Sequence, residues 1–141
     1  MIKQLNVFSE NKPGKLEKIA GILAEAKVNI KAMKISSAQD YGVLKFIVDD
    51  PEKGFESFKK AGVTVSLKDV VAVEIADKPG SLWDTLKLFR PYNLNIEDIY
   101  GFTTADKKAV VILEIADPET VEKILEKNKF NLLGSSKLYS I

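Results

Sequence analysis

The feature that most constrains this chain is a repeat. Asn11-Lys12-Pro13-Gly14-Lys15-Leu16 returns as Asp77-Lys78-Pro79-Gly80-Ser81-Leu82, and Val28-Asn29-Ile30 returns as Leu94-Asn95-Ile96. Every matched position is displaced by 66 residues. A fixed displacement with the same Pro-Gly punctuation marks two copies of one folding unit. The 141 residues then divide into units of about 70, near the lower limit for a domain with its own core. The spacing places one domain at 1–68 and a second at 69–141. Lys68-Asp69 is the only candidate linker; it is short, with neither Gly nor Pro, so the units are expected to be held close.

The first unit reads as β-α-β-β-α-β. Residues 2–8 alternate apolar Leu5 and Val7 with Gln4 and Asn6, the period of a half-buried strand. After the polar loop, Leu16, Ile19, Ala20, Leu23 and Ala26 fall on one face of a helix. Residues 28–38 and 43–48 are strand-like, with 39–42 as a hairpin turn. Asp50-Pro51 is an N-cap followed by proline at the first helical position, and Gly62 suits the residue after that helix. Residues 64–67 make a fourth strand. The second unit repeats the order, with strands expected at 70–75, 96–103, 109–115 and 130–139 and a helix starting at Asp117-Pro118. Leu82, Leu86 and Phe89 form the apolar stripe of its first helix, which Pro91 should end near Arg90. The displacement grows to 67 at Asp117, so the second hairpin carries one extra residue. The fold class is α+β: two ferredoxin-like units, each a four-stranded antiparallel sheet with two helices on one face.

Composition excludes much chemistry. There is no Cys and no His, which removes disulfides, thiol catalysis, imidazole bases and the usual zinc ligands. Net charge is +1, so no overall bias draws the chain to nucleic acid or anionic lipid. No apolar run is long enough to span a bilayer, and the first residues lack a signal-peptide core. We expect a cytoplasmic protein with no cofactor and no metal. Phosphate-binding loops, dinucleotide fingerprints and nucleophile elbows are missing, so catalysis by this chain alone is not expected. Asp49-Asp50 and Glu97-Asp98 are paired acids, but Asp50 serves as a cap and adjacent strand residues point to opposite faces.

The repeated loop is the best candidate for binding. Gly14 and Gly80 open helices, where unpaired N–H groups and the helix dipole favour an anion. Asn11 or Asp77 can hold a polar group of the same ligand. Asn29 and Asn95 lie at the far end of the intervening helix, about 18 Å away for twelve residues, and would meet a loop of the other unit if the two pack antiparallel. The bland alternative is that Pro-Gly makes a tight turn and Asn-Ile begins a strand.

Both copies resemble the ACT domain. The resemblance rests on the Asn/Asp-Lys-Pro-Gly-x-Leu loop, the amphipathic helix and the Asn-Ile pair, and it spans the chain with one domain per half. ACT domains are βαββαβ regulatory modules that bind amino acids. The resemblance implies a free L-amino acid held where two such domains meet, between a loop and the second strand of a neighbour. It implies ligand-binding roles for Asn11, Pro13, Gly14, Leu16, Asn29 and Ile30, and for Asp77, Pro79, Gly80, Leu82, Asn95 and Ile96. In the 3-phosphoglycerate dehydrogenase type, the residues matching Asn11 and Asn29 contact serine. Asp77 departs from that pattern, and the His before that type's loop is absent here, with Ser9 near its place.

We expect a non-catalytic amino-acid sensor that passes its signal to a catalytic or regulatory partner protein and forms a homodimer. The alternatives are a regulatory subunit of a multi-chain biosynthetic enzyme and, from another class, an RNA-binding module of the same topology. The last needs exposed aromatics on the 41–48 hairpin, where Phe46 reads as core, and the 108–113 segment has no aromatic. Trp83 lies off the helix stripe and reads equally as a surface residue or as an interface contact.

Overall fold

A computed structural model describes residues 1–141. The chain forms two units, Lys3–Lys68 and Asp69–Ile141, the second taking in Met1–Ile2. The first contains β1 (Ile2–Glu10), α1 (Lys15–Glu25), β2 (Ile30–Ala38), β3 (Tyr41–Val48), α2 (Pro51–Lys60) and the start of β4 (Thr64–Ala76). The second contains the rest of β4, then α3 (Ser81–Lys87), β5 (Ile96–Thr103), β6 (Lys108–Ile115), α4 (Pro118–Lys127), β7 (Asn131–Leu132) and α5 (Ser135–Tyr139). Strand order is β2-β3-β1-β4 in the first unit, and β5-β6-β4-β7 in the second. Both are βαββαβ arrangements.

The repeat holds at the level of local chemistry. Asp50 and Asp117 both cap their helices, accepting from the N–H of Lys53 and Thr120 at 3.1 and 3.2 Å. Pro51 and Pro118 follow at the first helical position, where a missing N–H costs nothing. A β-bulge interrupts the pairing between Ile30 and Ala32, and again between Ile96 and Asp98. Glu97 is the extra residue of that bulge, so simple alternation does not govern the Glu97-Asp98 pair.

Three expectations need correction. Residues 130–139 are not a strand: β7 ends at Leu132, Leu133 N–H makes one last bond to Ala72 at 2.9 Å, and α5 follows. The reason is Gly134-Ser135-Ser136, which breaks the run of β-formers, and Leu138, which α5 buries. Lys68-Asp69 is not a linker, since both residues lie inside β4. With no turn-forming residue between Leu67 and Val70, the strand simply continues, joining two segments expected as separate. The turn at 39–42 is tighter than expected: Tyr41 and Gly42 already belong to β3.

Pro91 shortens the first helix of the second unit more than foreseen. α3 has seven residues against eleven in α1, and it stops at Lys87. A proline ring collides with the carbonyl four residues earlier, which is that of Lys87. The chain closes with i→i+3 bonds, Phe89 N–H to Leu86 and Tyr92 N–H to Phe89. The extra residue of the second hairpin is also present. Two residues, Gln39-Asp40, join β2 to β3, whereas Thr104 N–H bonds the Lys108 carbonyl around a three-residue loop ending in left-handed Lys107.

Each unit has its own core, and the two are filled differently. The first buries Phe46 and Phe58, with ring centroids 6.4 Å apart. The repeat positions in the second hold Leu113 and Leu125. Compensation comes from the facing helix. Gly54 sits where a Cβ would stand 2.8 Å from the Leu5 side chain, while its counterpart in the second unit is the buried Val121. Large rings with a glycine, or leucines with a valine, reach the same close packing.

Candidate functional site

The two Pro-Gly loops have the same backbone. Gly14 has φ 85° and ψ −11°, and Gly80 has φ 87° and ψ −13°, a left-handed conformation that costs glycine little. Lys15 N–H bonds the Lys12 carbonyl at 3.2 Å, and Ser81 N–H bonds Lys78 at 3.3 Å. Because the cap is a glycine, no side chain satisfies the first N–H groups of either helix. Those of Leu16 and Glu17 in α1 are open to an acceptor. Each loop is pinned to the hairpin of its own unit: Asn11 N–H bonds Asp40 at 2.7 Å and Asp77 N–H bonds Lys107 at 2.9 Å.

Side chains part company on this common frame. The Asn11 amide donates to the Gln39 carbonyl at 3.0 Å, leaving its own carbonyl oxygen open. Asp77 has no hydrogen to donate and makes no such bond. Lys12 pairs with Glu10 at 2.8 Å, which holds the Glu10 carboxyl below the usual carboxylate range by hydrogen bond and charge. Ala76 stands at the repeat position of Glu10, and Lys78 has no ion pair.

Within a unit, the structure does not bring the loop and the Asn-Ile pair together. Asn29 lies at one end of β2 and the loop at the other, roughly 30 Å apart along nine residues of strand. Asn29 is held at its end by a backbone bond to the Asp49 carboxylate at 2.9 Å. Asn95 has Ala116 in that place and no such clamp. Both Asn side chains are exposed. Ile30 and Ile96 also start their strands, remote from their own loops. Pro13 and Pro79 are exposed members of the turns.

A small cavity of about 70 Å3 opens beside the first loop, lined by Asn11, Leu16, Ile35 and Leu44 among others. Leu16 is 40% exposed and Ile35 is 44% exposed, so this apolar wall is open. Ile35, which the sequence did not single out, forms part of this wall. The register pairs Glu10 with Tyr41, which folds the far end of β2 back over the loop. A hairpin count from the turn could have found it. In the second unit the matching residue is Gly101, where a Cβ would stand 2.3 Å from the Val110 carbonyl oxygen. Leu82 is exposed there with no apolar partner at that position.

A larger cavity lies elsewhere. About 550 Å3 in volume, it sits at the end of β4, beside the start of α3 and the α4–β7 turn, with Glu74, Thr85, Lys129 and Phe130 in its wall. None of the candidate ligand-binding residues of the sequence lines it, though Ser81 of the repeated loop motif does. Lys108 and Asn131 donate to the Glu74 carboxylate at 3.0 and 3.3 Å, and these bonds hold the Glu74 carboxyl below its ordinary range. Of the aromatics, Trp83 is 66% exposed with the Lys87 ammonium 4.5 Å above its ring. Phe46 is fully buried. Tyr100 stays protonated, its hydroxyl pushed far up by burial and then by the charges of Asp98 and Glu114. No group of three acidic residues stands close enough to hold a metal ion. No helix is long and apolar enough to cross a membrane.

The sequence matches the family described as an ACT domain pair over residues 1–141. A crystal structure of a Bacteroides thetaiotaomicron protein is similar at TM-score 0.93 and 31% identity, covering 99% of this chain and 96% of that one. The ligand-free regulatory subunit of aspartate kinase from Thermus thermophilus shares the fold at TM-score 0.66 and 18% identity, over 89% of this chain and 91% of that one. The Thermus flavus regulatory subunit does so at 0.59 and 16%, over 89% and 90%. Among curated proteins, none matches the sequence.

Proposed function

The chain belongs to the ACT domain pair family, and on that premise we propose that it is a non-catalytic regulatory protein that binds a free L-amino acid at its Pro-Gly loops. The observation that carries the reading is the shared loop backbone with uncapped N–H groups at the helix start. In the first loop, the N–H groups of Leu16 and Glu17 receive the ligand carboxylate, aided by the dipole of an eleven-residue helix. The Asn11 carbonyl accepts from the ammonium, and Leu16 and Ile35 take an apolar side chain. In the second loop the helix has only seven residues, and recognition falls to side chains: Lys78 for the carboxylate and Asp77 for the ammonium. Asn29 or Asn95 of another copy of the fold completes each site. The signal passes to a partner protein, in the manner of a regulatory subunit, and the protein works in the cytoplasm as a homodimer.

Calorimetric titration of the intact chain with the twenty amino acids tests this. One should bind, and Asn29→Ala or Asn95→Ala should weaken it about tenfold to a hundredfold, since a hydrogen bond to a charged ligand group contributes about 1.5–3 kcal/mol. Binding unaffected by either change would remove Asn29 and Asn95 from the site. No binding at millimolar concentration would overturn the function.

A further inference from the structure

The cavity of about 550 Å3 has a counterpart in the first unit. There, about 250 Å3 opens between the end of β1, the start of α1 and the α2–β4 turn, at the same repeat positions. The backbone frame therefore makes a hollow in both units, and side chains decide its use. Phe8 in the first unit becomes Glu74 in the second, Lys18 becomes Asp84, Gly62 becomes Lys129, and Thr64 becomes Asn131. Both hollows carry charges of both signs, Glu10, Lys15 and Lys18 in the first; the second is larger, sets Glu74 where the first has Phe8, and adds Lys107 and Lys129.

Two details show that this lining is held in place. Glu74 is fixed through one carboxylate oxygen, Oε1, which accepts both Lys108 and Asn131, while Oε2 has no partner. Lys129 occupies a left-handed conformation, φ 64°, at the position where the first unit uses Gly62 at φ 75°. That region is uncommon for a residue with a side chain, and Lys107, also in the lining, adopts it too at φ 55°. Its N–H bonds Glu126 at 2.9 Å, and the next N–H, of Phe130, bonds Leu125 at 3.0 Å. Neither Lys129 nor Lys107, which also lines the cavity, has an ion pair. Ile75 and Phe130 supply an apolar wall.

We propose that this cavity is a small-molecule site, separate from both loops, for a zwitterion with an apolar tail. The ammonium binds Glu74 Oε2, the carboxylate binds Lys129 and Lys107, and the tail lies against Ile75 and Phe130. A simple anion would face Glu74, Asp84 and Asp106, and a simple cation would face Lys107, Lys108 and Lys129; a zwitterion satisfies both. The volume falls within the usual range of about 300–1,000 Å3 for small-molecule pockets. This site does not depend on the loops being occupied.

The test is an amide NMR titration of the intact, 15N-labelled chain with L-leucine and L-phenylalanine. At least one should shift the amides of residues 74–76, 81–85 and 128–131. N-acetyl-L-leucine, without an ammonium, and L-leucinamide, without a carboxylate, should bind at least about tenfold more weakly than L-leucine. Glu74→Gln and Lys129→Gly should each weaken binding about tenfold. Lys129→Gly installs the residue used at the same position of the first unit, so it should raise the melting temperature while affinity falls. Absence of shifts in those three segments at about 10 mM of either probe would overturn the proposal. Shifts confined to residues 11–16 and 77–80 would also overturn it, while leaving amino-acid binding at the loops intact. An affinity unchanged in Lys129→Gly would overturn it as well.

Discussion

In the first loop, Lys12 is bound to Glu10 and Asn11 to the hairpin; in the second, the side chains of Lys78 and Asp77 are bound to nothing. Yet the glycines that shape the two loops differ by only two degrees in φ. The comparison separates two jobs. Proline and glycine set the path of the chain and the open helix end, and the flanking side chains set what is recognised there. The same separation recurs in the cores and in the hollows behind the loops, where one frame carries different fillings.

The largest test of that separation is in the cores. Phe58→Ala should cost about 3–5 kcal/mol in urea denaturation, because the ring is fully buried against Phe46. Gly54→Val, which copies Val121, should cost about 1–3 kcal/mol by forcing Leu5 aside. Adding Phe58→Leu to Gly54→Val, as in the second unit, should cost less than the sum of the separate changes. Strict additivity would show that the two cores are not alternative solutions to one packing problem.

Exchanging the residues of the small apolar wall comes next. Gly101→Ile should destabilise the second hairpin by about 1–3 kcal/mol, since its Cβ meets a backbone oxygen that cannot rotate away. Ile35→Gly should cost only about 0.5–1 kcal/mol, the usual penalty for glycine in an element interior. Equal costs by denaturation would mean that the backbones of the hairpins are more alike than Gly101 indicates.

A smaller effect is expected at the loop itself. Asn11→Asp removes the donor to the Gln39 carbonyl and should lower stability by about 1 kcal/mol. Asp77→Asn should raise stability or leave it unchanged. A denaturation midpoint unmoved by Asn11→Asp would show that the tether contributes nothing.

The smallest is a pH effect, worth under about 1 kcal/mol for a pair of this kind. Lys108 and Asn131 lower the Glu74 carboxyl in the folded state. The stabilisation is therefore present above the ordinary carboxylate range and is lost as pH falls through the lowered value. Phe8 occupies that position in the first unit and has no charge to lose. Glu74→Gln should remove part of the acid sensitivity of the denaturation midpoint, whereas an unchanged acid profile would show that the bonds to Glu74 contribute nothing.

Much of the fold was legible because its signals are local. The Pro-Gly loops, the Asp-Pro caps, Gly62 and the extra hairpin residue each need only a few neighbours to be read. The continuous β4 was missed because a boundary inferred from a repeat says nothing about whether a strand stops there. The final helix was missed because residues 130–139 were matched to their repeat positions, while Gly134-Ser135-Ser136 argued otherwise. At the site, the loop backbone was foreseen but the placing of Ile35 was not, since it depends on the β1–β3 register. The mixed-charge cavity was invisible because Glu74, Lys129 and Phe130 meet only in three dimensions.

The claim that this chain is an amino-acid sensor is tested most directly by the melting temperature of the intact protein in each of the twenty L-amino acids. A ligand that binds only the folded state stabilises it by about 2.7 kcal/mol at a hundredfold excess over Kd. The account predicts a saturable rise in melting temperature for one amino acid or a few of related shape, and none for the rest. Twenty unchanged melting temperatures at millimolar concentration would contradict it.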